Sequence, residues 1–546
     1  MVTWSDILTW QPDGLDTVVD DLNDRAAKLR TAADSLQDAS DAIASKGETV
    51  SAAKAAITKS LNDTNTAVSL VSELSVATAQ AATGVADVQT RVHECQSFAQ
   101  INELDISAGG TASISDARMA RINEAMMGNA DVAVGLYWQA VQDRDNLQRQ
   151  IDSAIERANE VDSTYAGRLD AVAHGEVSAE AADGFAQGLP DLPQEGWSDR
   201  EVAAWWDSLT LEERETIIRD NPDAIGNLNG IDGTSRDLAN RNRIGSMIEQ
   251  SKADLAAAKE NSSQYHYPGG STDRRAMIDA AERRLADLEA LNESIQGGGQ
   301  LLLLDNTSSA QGLQAAVAVG NVDTASHVTT LVPGMTTNVR DSMGGLIVDS
   351  NRLRDIAVVE QGVNAEDIAV VSWIGYDAPP GLLESASTGR AQDGAGNLNA
   401  FVEGMHASRA YGDAGDPSMH VLGHSYGSTT SGMAMKDVNV GVVDNLVMFG
   451  SPGSGVQDVR EYNLADQAYV SAVDSHDAVQ GLGPDWAFGK NPTEVEGIDS
   501  LSSDDGVTDR PLFDRFARHS TYLKVPEGQT TTGILSDFAA VITGKK

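Results

Sequence analysis

Ser418-Met-His-Val-Leu-Gly-His-Ser-Tyr-Gly-Ser428 is the stretch whose reading decides the fold. Its first five residues suit a short buried strand, and residues 429–436 are small and then helix-compatible. Between them Gly423, Ser425 and Gly427 spell G-x-S-x-G. A serine hydroxyl is a weak nucleophile until it is aimed away from its own backbone and handed to a base. A sharp strand-to-helix turn does the aiming, holding the serine in a strained conformation at the head of a parallel sheet. The glycines let strand and helix cross closely, and the helix N-terminus faces developing negative charge. The same pattern occurs in ordinary glycine turns, so its surroundings decide. A strand leads in, a helix leads out, and acid and histidine candidates follow, which makes Ser425 the expected nucleophile.

Working outward, apolar strands are expected at 300–304, 315–319, 327–332, 368–373, 419–422, 446–449 and 468–473. Helical segments at 337–354, 381–407 and 429–436 separate the later ones, and a last helix is expected at 533–542. Strands buried on both faces and alternating with helices predict a mainly parallel α/β sheet. Ligands bind such sheets at the C-terminal strand ends.

The strand at 468–473 runs into Asp474-Ser475-His476-Asp477. Asp477, in the loop beyond the strand end, is the favoured acid; Asp474 is the alternative. Its task would be to fix the tautomer of a catalytic histidine and stabilise the imidazolium. Beyond Ser425 only His476 and His519 are available, and His476 sits too close to the acids in sequence to reach back as base. His519 is the expected base. An oxyanion hole needs two backbone N–H groups. One is expected from Tyr426, the other from Met335 or Gly334 in the Val332-Pro-Gly-Met-Thr-Thr337 turn. His420 and His424 read as packing or supporting residues, and no metal-ligand spacing or phosphate-cradling loop occurs, so no metal or cofactor is expected.

The N-terminal third looks different. Leu15, Leu22, Leu29, Leu36 and Ile43 fall seven apart, with Val18, Ala32 and Ala39 as a second stripe and Arg25 as the polar intruder. That predicts a heptad seam. Further helices are expected at 49–100, 115–129 and 131–168, interrupted at Gly109-Gly110. The expected organisation is a helical hairpin or coiled-coil domain over 1–183, through which the chain could self-associate. A linker with short helices follows over 184–299, and the α/β domain over 300–546. In the middle segment, Ser198 with Glu201 and Thr210 with Glu213 match capping boxes. Residues 225–237 read as a loop before a helical hairpin at 240–260 and 272–294, with Tyr265-His266-Tyr267 at its tip.

The chain has 546 residues, a formal net charge of −42 and one cysteine. Such acidity excludes nucleic acid as a partner, since phosphate backbones require a basic footprint. One cysteine excludes an internal disulfide. No apolar run reaches ~18 residues, so no transmembrane segment is expected. Residues 1–14 lack a basic region followed by an apolar core, so the chain reads as cytoplasmic, or as exported without a classical signal peptide.

Taken together, Val332-Pro-Gly334, Trp373-Ile-Gly-Tyr-Asp-Ala-Pro379, Gly423-His-Ser-Tyr-Gly-Ser428 and Gly450-Ser-Pro-Gly453 resemble an actinobacterial family of α/β-hydrolases that is largely uncharacterised. Pro222-Asp-Ala-Ile-Gly226 and Arg236-Asp-Leu-Ala-Asn240 resemble the segment preceding the hydrolase in that family. The resemblance covers about 195–546 and implies a serine hydrolase fold with Ser425 as nucleophile. The N-terminal helices loosely resemble the hairpin modules of type VII secretion substrates, without their W-x-G turn. The expectation is an esterase- or lipase-like serine hydrolase acting on a small-molecule or lipid-like ester through an acyl-enzyme. The alternative is a helical scaffold or secretion-associated protein carrying an inactive hydrolase-like domain.

Overall fold

A computed structural model describes residues 1–175, 192–264, 271–306, 312–381, 383–412, 414–473, 477–507 and 519–546. Asp474, His476 and Tyr265-His266-Tyr267 lie outside the described residues. The chain folds as two compact units: Met1–Thr216 with Ala410–Gly415, and Ile217–Arg409 with Asp416–Lys546.

The first unit is built of helices: α1 (Trp4–Ile7), α2 (Asp13–Ala42), α3 (Glu48–Ile101), α4 (Asp116–Gly128), α5 (Ala130–Ala173), α6 (Asp199–Asp207) and the start of α7 (Leu211–Asp220). Small residues let α3 and α5 approach closely. A Cβ on Gly84 would lie 2.5 Å from a Val161 methyl. Val85, Val88, Val92, Leu147, Ile151 and Ala154 close that core. Both capping boxes form, with Ser198 and Thr210 exchanging bonds with Glu201 and Glu213.

Two expectations are corrected here. Gly109-Gly110 is more than an interruption: a hairpin, β1 (Leu104–Ile106) paired antiparallel with β2 (Ala112–Ile114), turns there. The buried stripe of α2 is also rotated from the heptad reading. Val19, Leu22, Ala26 and Ala33 are buried, whereas Val18, Ala32 and Ala39 are exposed. The reason is polar burial that apolar spacing does not register. Asn23 accepts from the Ser75 hydroxyl at 2.6 Å, and Arg30 pairs with Glu213 at 2.8 Å, so both face inward. Arg25 is exposed.

The second unit carries an eight-stranded sheet in the order β10-β9-β8-β7-β5-β6-β4-β3. The strands are β3 (Gln300–Asp305), β4 (Gln314–Val319), β5 (His327–Val332), β6 (Ile368–Ile374), β7 (Ser418–His424), β8 (Asn445–Phe449), β9 (Gln467–Ser471) and β10 (Asp499–Ser500). Only β4 runs against its neighbours; β6, β5, β7, β8, β9 and β10 pair in parallel. The short β10 is absent from the sequence reading. Its two residues carry no periodicity. Every residue of β6 is buried, as strands covered on both faces require.

Helices α8 (Gly233–Gln264) and α9 (Ser271–Ser294) precede the sheet, followed by α10 (Val339–Gln361), α11 (Gly389–Ser408), α12 (Tyr426–Asp437), α13 (Asp485–Phe488) and α14 (Gly533–Val541). One face of the sheet buries Trp373, Leu398, Phe401 and Met435 from the α11 and α12 side. The other buries Leu331, Leu353, Ile356 and Phe538 against α10 and α14.

Here too, tertiary interactions move boundaries. α8 starts at Gly233 rather than 240, because the Asp323 carboxylate accepts the N–H groups of Gly233 and Thr234 at 2.5 and 2.8 Å and caps it. α10 runs on to Gln361, where Gly362 ends it at φ 67°. α11 begins at Gly389 rather than 381, since the preceding segment is held over the site described below. Among the described residues no helix is long and apolar enough to cross a membrane.

Candidate active site

The centre is the turn from β7 into α12. Ser425 takes φ 54° and ψ −130°, a conformation that non-glycine residues rarely adopt and that costs ~1–3 kcal/mol. It persists because its surroundings fix it. The Ser425 N–H donates to the Phe449 carbonyl at 3.0 Å, and the Ser428 hydroxyl donates to the Ser425 carbonyl at 2.5 Å. Crowding sets the motif's second glycine: a Cβ on Gly427 would lie 2.4 Å from the Pro333 carbonyl oxygen. The expected nucleophile therefore sits at a strained, braced bend between strand and helix.

Segments after β9 and β10 bring the acid and the histidine together. The His519 Nδ1–H donates to the Asp477 carboxylate, 3.1 Å from Oδ1 and 3.0 Å from Oδ2. A carboxylate only accepts, so this bond puts the proton on Nδ1 and leaves Nε2 as the basic nitrogen. The Asp477 side chain is fully covered. Burial pushes its pKa up, but the His519 bond and charge, the Val479 N–H and the Tyr522 hydroxyl outweigh that and hold it below the usual carboxylate value. Gly450 adjoins both groups. At φ 57°, a Cβ there would come within 2.9 Å of the His519 ring and 3.0 Å of Asp477 Oδ2.

Ser425 lies one bend away from this pair, since its N–H is bonded to the residue before Gly450. Among the described residues no hydrogen bond joins the Ser425 hydroxyl to His519. The link is made by the neighbour. His424 Nε2–H donates to the His519 carbonyl at 2.8 Å, and the two rings lie 4.8 Å apart. Burial, then the charge of His519, lowers the His424 pKa to about 3, so it stays neutral and keeps that role.

The expected oxyanion groups flank the serine. A Cβ on Gly334 would lie 2.7 Å from that of Ser425, so the loop after β5 passes directly over the nucleophile. This loop is held tightly. The Tyr376 hydroxyl donates to the Pro333 carbonyl at 2.8 Å, the Thr337 hydroxyl to the Gly334 carbonyl at 2.8 Å, and the Thr336 N–H to the Pro379 carbonyl at 2.7 Å. Among the described residues no hydrogen bond takes up the N–H of Met335 or of Tyr426. The Tyr426 hydroxyl donates to the Ser387 carbonyl at 2.6 Å and accepts from the Ala391 N–H, which keeps residues 383–388 out of α11.

Tyr522 escaped the sequence reading. It is 1% exposed, donates its hydroxyl to Asp477 Oδ2 at 2.8 Å and accepts from the Val473 N–H at 3.0 Å. Its proximity to His519 in sequence was the available signal. Among the described residues no group of three or more His, Cys, Asp or Glu side chains could hold a metal ion.

A family profile described as Alpha/beta hydrolase matches residues 308–487. The chain is 32% identical over 237 residues to an uncharacterized protein of Mycobacterium tuberculosis, Rv0963c, spanning 42% of this chain and 87% of that protein. It is 30% identical over 307 residues to a second M. tuberculosis protein, Rv2079, spanning 54% of this chain and 45% of that one. Among solved structures it matches a hyperthermophilic esterase from Pyrobaculum calidifontis at 14% identity and a TM-score of 0.28, covering 48% of this chain and 92% of the other. With that level of identity across most of the first relative, the chain belongs to the α/β-hydrolase family.

Proposed function

We propose that the chain is a serine hydrolase that cleaves a carboxylic ester through an acyl-enzyme. The observation that carries this reading is the Asp477–His519 pair, which leaves Nε2 as the basic nitrogen and packs at Gly450, the residue after the carbonyl that takes the Ser425 N–H, with Ser425 braced at φ 54°. His519 Nε2 takes the proton as Ser425 Oγ adds to the ester carbonyl. The oxygen that gains the charge meets the N–H groups of Tyr426 and of Met335 or Gly334. The C–O bond to the alcohol breaks as His519 returns the proton to the leaving oxygen. Water then adds to the acyl-enzyme with His519 again as base, releasing the carboxylate and freeing Ser425. Asp477 holds the imidazole in the Nδ1–H tautomer throughout.

A p-nitrophenyl ester series from acetate upward tests the reading. The expected result is an initial burst of nitrophenol followed by steady turnover, both lost in Ser425→Ala. A folded protein inactive on every chain length would contradict it. That outcome would favour the second reading, a hydrolase-like binding module, which draws support from the lack, among the described residues, of a hydrogen bond between the Ser425 hydroxyl and His519.

A further inference from the structure

Four large apolar side chains in the sheet-bearing unit stand out as the most exposed among its described residues: Leu383 at 89%, Trp486 at 87%, Val359 at 80% and Leu482 at 68%. Val359 is on α10. The other three sit on two loops fixed to Tyr426, the residue after the expected nucleophile. One loop comprises the described residues 379–381 and 383–388. Its Pro379 carbonyl takes the Thr336 N–H and its Ser387 carbonyl takes the Tyr426 hydroxyl. The other is 478–490, which leaves Asp477 and returns along the loop after β8. Gly481 N–H donates to the Ser451 carbonyl at 2.8 Å, Gly483 N–H to that of Pro452 at 2.9 Å, and Gly455 N–H to that of Phe488 at 2.7 Å. The Phe488 ring stands edge-on to Tyr426 at 6.3 Å.

The anchors are buried and the tips are not. Phe488 is 3% exposed, whereas Trp486, two residues earlier on α13, projects almost wholly into solvent. Isolated exposed leucines need no explanation. Three large apolar tips on two loops that both grip the nucleophile's neighbour do, because apolar surface grouped at a site marks what the site meets. Charge narrows the class. Residues 379–388 carry Glu384 with no Lys or Arg, and residues 478–490 carry Asp485 and the exposed Lys490, on a chain of formal net charge −42. An anionic lipid surface would repel such a rim, while a neutral one offers apolar burial without that cost. Tryptophan is also the side chain best suited to an apolar–water boundary.

We propose that Leu383, Leu482 and Trp486 form a docking rim that seats the site on a neutral ester-lipid surface, so that the ester is drawn from an aggregate rather than from solution. This rests on the serine-hydrolase reading for the identity of the substrate, but docking itself does not require turnover.

The test separates the two. The full chain carrying Ser425→Ala is mixed with a trioctanoylglycerol emulsion and floated by centrifugation. The protein is expected to rise with the emulsion, and L383S/L482S/W486S in the same background to lose at least tenfold in the floated fraction. V359S, at an equally exposed position on α10, is expected to float like its parent. Vesicles of phosphatidylglycerol are expected to leave the parent unbound. Equal flotation of parent and triple variant, no flotation of the parent, or equal binding to the anionic vesicles would each overturn the proposal. In the chain with Ser425 intact, the rate on emulsion relative to dissolved p-nitrophenyl acetate should fall at least tenfold in the triple variant. Flotation without any ester hydrolysis would leave the docking rim standing and remove the catalytic reading.

Discussion

Asp143 in the helical unit and Asp477 in the sheet-bearing unit are both buried carboxylates, 6% and 7% exposed. Their partners differ. Asp143 accepts from Arg118 at 2.6 Å and from Gln139 at 2.9 Å. A guanidinium is permanently charged and saturates the carboxylate, so that pair can only hold helices together. Asp477 accepts from an imidazole, a phenol and a backbone N–H. An imidazole, unlike a guanidinium, can take up and release a proton, and this one keeps a second nitrogen to act with. Burial of an acid is therefore no sign of chemistry by itself; the capacity of its partner to exchange a proton is.

The comparison breaks most sharply at Asp477. Asp477→Asn keeps the shape but can donate to Nδ1, which favours the wrong tautomer. The kcat on an activated ester is expected to fall by ~10⁴-fold, with the circular dichroism spectrum unchanged. A loss under tenfold would mean that Asp477 is as structural as Asp143. The opposite pattern is expected at Arg118→Ala, which strands the Asp143 charge and destabilises the helical unit by ~3–5 kcal/mol. Urea unfolding should register the change, and activity below the transition should persist.

Much of this contrast could be read from the chain, and the limits have physical causes. The bend at Ser425 was legible because it is local: Gly423 and Gly427 answer to crowding within a few residues, and the strand and helix flank them directly. The choice of Asp477 over Asp474 depended on how a loop folds, which spacing does not encode. Tyr522 reaches Asp477 across 45 residues of sequence, so its place three residues after His519 hints at the site but not at the bond. In α2 the apolar repeat misplaced the buried face because Asn23 and Arg30 turn inward to polar partners. At 379–388, helix propensity gave way to bonds with Thr336 and Tyr426.

Smaller effects sharpen the same contrast. His420 is 1% exposed and burial, helped by neighbouring His327, lowers its pKa to about 3. An unfolded histidine takes its proton near pH 6.5, so between that pH and about 3 the unfolded chain binds more protons. Stability contributed by neutral His420 is therefore complete above pH 6.5 and declines below it. Between pH 8 and pH 5 the sheet-bearing unit should lose ~2 kcal/mol through this residue. His420→Gln should flatten the dependence in chemical denaturation at those two pH values; an unchanged slope would contradict the assignment. Smallest is Tyr522→Phe, which removes one donor from Asp477 and keeps the ring. It should lower kcat by ~10-fold and move the acid limb of the pH–rate profile upward, since one group holding Asp477 ionised is gone. A purely structural tyrosine would leave that limb in place.

The most direct measurement is covalent labelling of the full chain with a fluorophosphonate, followed by peptide mass spectrometry. One adduct is expected, on Ser425, formed quickly by the parent, slowly by Asp477→Asn, and not at all by Ser425→Ala. An adduct on another residue, or labelling that persists in Ser425→Ala, would contradict it.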